Sequence, residues 1–279
     1  MIRRASWMLG LAVVSAALTL PAPAVAAPKC TANELQGRYG FLTNGHVVEG
    51  EADVPYAAGG VLTLRRNGTF TLEGSQTQDG VVGPVTPSQG TWIVRPDCTG
   101  SASTSGGPLF NFVAVGDQGK LEIIRSDLGV IVTGFAKRVA ESCSLANVRG
   151  SYGYAFNAIV YNLPIQGQLL PRAFFSGGGV VKVDENADGE GTAVLDDTAS
   201  FGGLVIQRHY EGSVEVGTDC TGSAVVTLPP NAPTSTNPVH VNAIWVEDRG
   251  SVILIQTDPG TFIAGEATLL RNLRRVKIR

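Results

Sequence analysis

The chain of 279 residues is 43% hydrophobic and 16% charged, with a formal net charge of −3 and 35 glycines beside 15 prolines. So little charge with that much apolar content excludes an intrinsically disordered chain. Abundant glycine and proline, with no long alanine- or leucine-rich periodic stretch beyond the leader, exclude a helical protein.

The first predicted element is a removable export signal at 1–26. Arg3 and Arg4 supply its positive start, Trp7 to Leu20 its apolar run, and Ala24-Val25-Ala26 the small residues a signal peptidase accepts. Pro21-Ala22-Pro23 ends the apolar run too early for a membrane anchor. Ala27-Pro28-Lys29 before Cys30 is a poor lipoprotein site, and a single Arg3-Arg4 pair is a weak twin-arginine signal. Without Arg3 and Arg4, 19 basic residues face 24 acidic ones, a net −5. A mildly acidic exported chain, periplasmic or extracellular, has no electrostatic reason to seek nucleic acid or anionic lipid. No later run of apolar residues is long enough for an integral membrane helix.

Beyond the leader the chain is a duplication. Cys30, Gly37, Tyr39, Gly40 and Phe41 return as Cys143, Gly150, Tyr152, Gly153 and Tyr154. Gly59-Gly60-Val61 returns as Gly178-Gly179-Val180, and Asp97-Cys98-Thr99-Gly100-Ser101-Ala102 recurs unchanged as Asp219-Cys220-Thr221-Gly222-Ser223-Ala224. Gly119, Asp127, Gly129 and Gly134 reappear as Gly250, Asp258, Gly260 and Gly265. The landmarks keep their order, so the reading is two copies of one domain, 28–140 and 141–279. Insertions in the second copy fall between landmarks, the largest in the proline-rich stretch Thr227 to Pro238.

Within the first copy, runs rich in valine, isoleucine, phenylalanine and threonine alternate with Gly, Asn and Asp turns. They predict eight strands, at about 36–45, 58–65, 68–75, 88–95, 98–104, 108–116, 119–126 and 128–138. The second copy gives eight at about 149–159, 172–183, 190–195, 205–216, 220–228, 238–246, 250–257 and 260–271. Tight connections such as Asn67-Gly68 and Asp127 to Gly129 favour antiparallel neighbours over βαβ units. The predicted class is therefore all-β, two tandem up-and-down barrels in which closure removes both sheet edges. An immunoglobulin-like sandwich is weaker, because both cysteine pairs begin before the first strand with no tryptophan midway between them.

Four cysteines in an exported chain imply disulfides. Of three possible connectivities, duplication favours the one repeated in each copy: Cys30 with Cys98 and Cys143 with Cys220. A zinc site is disfavoured, since no CxxC occurs and His46, His209 and His240 are not near cysteines in sequence.

The pattern of cysteine, Gly-x-Tyr-Gly-aromatic, then Gly90, Trp92 and Val94 before Asp97-Cys98-Thr99-Gly100 resembles poorly characterised exported bacterial proteins. Gly212, Val214, Val216 and Asp219-Cys220-Thr221-Gly222 repeat it in the second copy. The domains of those proteins are similar to the allene oxide cyclase-like barrel, a relative in shape of lipocalins. The resemblance implies a fold and covers nearly the whole mature chain. Its glycines, turns and cysteines specify no reaction, and no catalytic residue carries over.

Few residues suggest chemistry. Asp184-Glu185-Asn186-Ala187-Asp188-Gly189 matches the opening of a calcium loop, but Leu195 stands where a bidentate glutamate belongs, so an acidic hairpin turn is expected. His209 and Glu211 share one face of a strand, and Arg208 and Tyr210 the other. His240 and Asn242 also share a face, Asn242 matching Asn111. No nucleophile elbow, HExxH or phosphate-cradling loop occurs, so no catalytic, metal or cofactor residue is expected. Arg271, Arg274, Arg275, Lys277 and Arg279 form a basic tail. The expectation is a non-enzymatic envelope protein that binds a small ligand or partner, with a pocket isomerase or cyclase, or a purely structural component, as rivals. The second copy, which alone has the acidic turn, the Arg208 to Glu211 cluster and the long loop, is the expected seat of recognition.

Overall fold

A computed structural model of the chain describes residues 30–49, 52–104, 109–116, 119–165, 168–201, 204–227, 238–258 and 261–270. The expected export signal, most of the proline-rich loop and the basic tail lie outside these residues.

The described strands form two closed, all-antiparallel, eight-stranded barrels. The first comprises Gly37–Glu49 (β1), Ala52–Leu64 (β2), Thr69–Gln78 (β3), Val81–Val94 (β4), Thr99–Thr104 (β5), Leu109–Val115 (β6), Lys120–Arg125 (β7) and Val130–Arg138 (β8). Each strand pairs with the next, and β8 closes on β1. The second repeats this plan with Gly150–Ile165 (β9), Gln168–Glu185 (β10), Gly191–Phe201 (β11), Leu204–Val216 (β12), Thr221–Thr227 (β13), Val239–Val246 (β14), Ser251–Gln256 (β15) and Thr261–Leu269 (β16). Here β16 closes on β9.

At one end of each barrel the strands outrun the sequence pattern. The first hairpin pairs as far as Glu49 with Ala52, where the sequence predicts strands ending near 45 and resuming near 58. Along 44–48 the burial no longer alternates cleanly, although the backbone pairing continues.

A four-residue helix stands before each barrel, Ala32–Leu35 (α1) and Leu145–Val148 (α2). In each, the third helical residue reaches back to the backbone N–H of the capping residue: Thr31 N donates to Glu34 Oε2 at 2.8 Å, and Ser144 N to Asn147 Oδ1 at 2.9 Å. Leu35 and Val148 are fully buried and plug one end of their barrels. The repeated tyrosine fastens each plug, Tyr39 donating to the Leu35 carbonyl at 2.9 Å and Tyr152 to that of Val148 at 2.7 Å.

The repeated Asp-Cys-Thr-Gly is a side-chain-closed turn. Asp97 Oδ1 accepts from both Thr99 N and Thr99 Oγ1, and Asp219 Oδ1 does the same for Thr221. These bonds hold the Asp97 carboxyl below its usual range; for Asp219 they outweigh an opposing effect of burial, helped by Arg38. Disulfides Cys30–Cys98 and Cys143–Cys220 tie each turn to the start of its helix. The following glycine leaves room for an aromatic ring: a Cβ on Gly100 would lie 2.2 Å from Phe112 Cζ, and one on Gly222 2.8 Å from Trp245 Cζ3.

The barrels pack side by side. The outer face of β1, β2 and β8 meets that of β14 and β15, with Leu42 and Val139 in one apolar cluster with Ile244, Val246, Ile253 and Ile255. Gly40 and Gly59 make the approach possible; a Cβ on Gly59 would come within 2.6 Å of Ile255 Cδ1. Polar contacts rim the cluster: Arg38 pairs with Asp219 at 3.1 Å, and Lys137 with Glu266 at 2.6 Å and Glu247 at 3.1 Å. Ala140 N also donates to the Trp245 carbonyl at 3.1 Å.

Candidate functional site

Inward-facing side chains of the first barrel enclose an apolar cavity of about 100 Å³. Its walls are Phe41, Ala58, Leu62, Leu64, Phe70, Leu72, Ala102, Phe110, Phe112, Leu121 and Ile123, which fall on alternate positions of their strands as the barrel's period of two requires. The plugged end is aromatic and hydrogen-bonded. Trp92 donates from Nε1 to the carbonyls of Arg65 and Thr69, each at 3.1 Å, and its ring lies against Phe112. Nearby, Arg138 reaches from β8 to the Tyr39 hydroxyl and the carbonyls of Glu34 and Gln36. Burial pushes the Tyr39 hydroxyl's pKa up, with Arg138 opposing it.

Polar groups gather toward the other end: Thr43, Tyr56, Gln76 and Thr104 line the cavity there. Arg125 sits over the Tyr56 ring but is engaged by Asp127. Among the described residues Tyr56 is the one ionisable residue lining the cavity, and burial raises its pKa despite Arg125. An apolar chamber with a few neutral hydrogen-bonding groups at one end is suited to holding a small apolar molecule.

The second barrel uses its middle differently. Arg208 of β12 and Asp197 of β11 are direct cross-strand partners. Their side chains, 9% and 2% exposed, form a bidentate pair, Nε to Oδ1 at 2.7 Å and Nη2 to Oδ2 at 2.6 Å. Tyr154 donates to Asp197 at 2.9 Å, while the guanidinium lies over the rings of Phe156 and Tyr210. Burial pushes the pKa of both Tyr154 and Tyr210 well up, the Asp197 charge adding to it. Arg208 and Tyr210 share one face, as the sequence predicts, and the structure shows that face to be the inner one. Their partner Asp197 was not anticipated, because it stands one strand away and only the register brings it there.

The remaining candidates lie outside the barrels. His209 bonds to Asp196 at 2.7 Å and Glu211 at 3.4 Å on the outer surface of β11 and β12, and these carboxylates raise its pKa. His240 bonds to Asp258 at 2.7 Å, and His46 to Asp53 at 2.8 Å. The Asp184 to Gly189 segment is a hairpin turn. Asn186 Oδ1 accepts from the backbone of Asp188 and Glu190, while Asp184 and Glu185 pair with Lys182 and Arg149. Among the described residues no group of three His, Cys, Asp or Glu is placed to hold a metal ion, and no helix is long and apolar enough to cross a membrane.

No family model and no curated protein matches the chain. A solved structure of a protein of unknown function from the DUF3598 family of Nostoc punctiforme PCC 73102 is similar to it at 12% identity and a TM-score of 0.27, over 85% of this chain and 97% of that one. A likeness so slight carries no argument about this protein.

Proposed function

We propose that this is an exported, non-enzymatic binding protein of the cell envelope whose first barrel holds a small apolar molecule. The observation that carries this reading is the apolar cavity of the first barrel, with its neutral polar groups at one end. Two disulfides and the leader of the sequence support an oxidising compartment outside the cytoplasm. The motif resemblance to allene oxide cyclase-like barrels supports a relation in shape, with no activity implied. Recognition is thus assigned to the first barrel, whereas the sequence alone points to the second.

The test is organic extraction and mass spectrometry of the protein purified from its own envelope, paired with Ala58→Phe. Ala58 is buried in the cavity wall, so the larger ring fills the chamber at a cost of about 1–3 kcal/mol. Wild type should carry an apolar compound that Ala58→Phe lacks. The same load in both proteins, or none in wild type, refutes the reading.

A further inference from the structure

A second cleft lies between the barrels, near the rim away from the helical plugs. Asn44 of β1 and Asn157 of β9, which occupy the same place in the two repeats, both face it from outer barrel surfaces. With Ala264 they line two adjoining hollows, of about 290 and 590 Å³, in the size range of small-ligand sites. The first hollow continues over His46, Pro55, Ala57, Thr77 and Phe174. The second continues over Ser176, Thr198, Ser200 and Val205.

Two features mark this cleft as more than a packing defect. Thr77 is 95% buried, and its hydroxyl has no hydrogen-bond partner among the described residues. A buried hydroxyl left unpaired costs free energy that a ligand would recover. Phe174, a residue 62% exposed, lines the same hollow and gives its wall an apolar face. The other polar groups lining the hollows, among the described residues, are two carboxamides, serine and threonine hydroxyls, the Tyr56 phenol and the His46 imidazole, which is engaged with Asp53. Among the described residues neither hollow is lined by a carboxylate, lysine or arginine.

We infer that the inter-barrel cleft binds a neutral oligosaccharide, its hydroxyls paired with Asn44, Asn157 and Thr77 and one sugar face laid on Phe174. The carboxamides and hydroxyls are donors and acceptors that match a polyol. An exposed aromatic ring beside them suits the C–H face of a pyranose. The cleft lies on the outer side of the barrel wall, shares only Tyr56 with the chamber of the first barrel among the described residues, and is tested at residues that do not line that chamber.

The experiment is calorimetric titration of the full-length oxidised protein with unsubstituted α- and β-linked glucose and N-acetylglucosamine tetrasaccharides. Saturable binding of at least one is expected, weakened about tenfold or more by Phe174→Ala and by Asn44→Ala with Asn157→Ala. The sharpest variant is Thr77→Val, nearly identical in shape. It should melt no lower than wild type, since it removes an unpaired hydroxyl, yet bind the sugar about five- to tenfold more weakly. Failure of all the neutral tetrasaccharides to bind, or binding indifferent to these substitutions, overturns the inference. The apolar load of the first barrel should be unchanged in every cleft variant, so loss of one activity is readable without the other.

Discussion

Replacing Arg208 with methionine separates two accounts of the second barrel's interior. The wild-type guanidinium makes two short bonds to Asp197, whose side chain is 2% exposed, and the carboxylate's other partner is Tyr154. Removing one member of so desolvated a pair leaves the other charge buried, which costs about 3–5 kcal/mol. At roughly 3–4 °C per kcal/mol for a barrel of this size, the second barrel should melt about 10–20 °C earlier. Asp197→Leu combined with Arg208→Met removes both charges and should return to within about 1–2 kcal/mol of wild type. Differential scanning calorimetry of wild type, both single variants and the double variant closes the cycle. A loss below about 1 kcal/mol for Arg208→Met means the pair is solvated. An equal loss in the double variant means that stacking of Arg208 on Phe156 and Tyr210, rather than charge, holds this interior together.

Each disulfide closes a long loop, with sequence separations of 68 and 77. Replacing Cys143 and Cys220 with alanine should therefore cost roughly 4 kcal/mol in urea unfolding on the chain-entropy model, and a loss under 1 kcal/mol would place the constraint elsewhere. His209 has a raised pKa, chiefly from its bond to Asp196 and then to Glu211. Its contribution to stability is thus fully present below the unfolded histidine value and is lost as pH rises through the folded one. NMR titration should show its pKa falling in Asp196→Asn, and no fall would remove that bond from the account. Glu247, Asp248 and Arg249 form a run of positive φ angles, 50°, 53° and 70°. Glu247→Gly should therefore be more stable than Glu247→Ala by about 1 kcal/mol, because both lose the Lys137 contact and only glycine relieves the backbone. Equal melting temperatures would show no strain there.

Much of the architecture was legible because duplication repeats what the fold requires. Gly37-x-Tyr39 and Asp97-Cys98-Thr99-Gly100 recur since each does a local job, fastening a plug or closing a turn, that needs those atoms at that spacing. The helices α1 and α2 left only a faint trace, Thr31 with Glu34 and Ser144 with Asn147, too short for any periodicity to register. The candidate sites were less legible. The chamber of the first barrel is built from ordinary alternating apolar residues, which read alike whether a barrel is filled or hollow. Asn44 and Asn157 lie far apart in the chain, and only the packing of one barrel on the other brings them to a single cleft. Asp197 likewise gains its meaning from the register of β11 against β12.

The two barrels meet through unlike faces, and that asymmetry limits how far such an arrangement can grow. In the second barrel the contact centres on Ile244 paired with Ile253, the latter wholly buried. The matching pair in the first barrel is Val113 and Glu122, equally opposed across β6 and β7, and there the Glu122 side chain is 51% exposed and bonded to Lys120. A third barrel stacked by the same operation would have to press its glycine seat onto that carboxylate, stripping it of water at a cost of several kcal/mol. Head-to-tail contacts of this kind propagate into fibres unless something stops them. One acidic side chain, standing where its twin is isoleucine, makes that next contact on the first barrel costly.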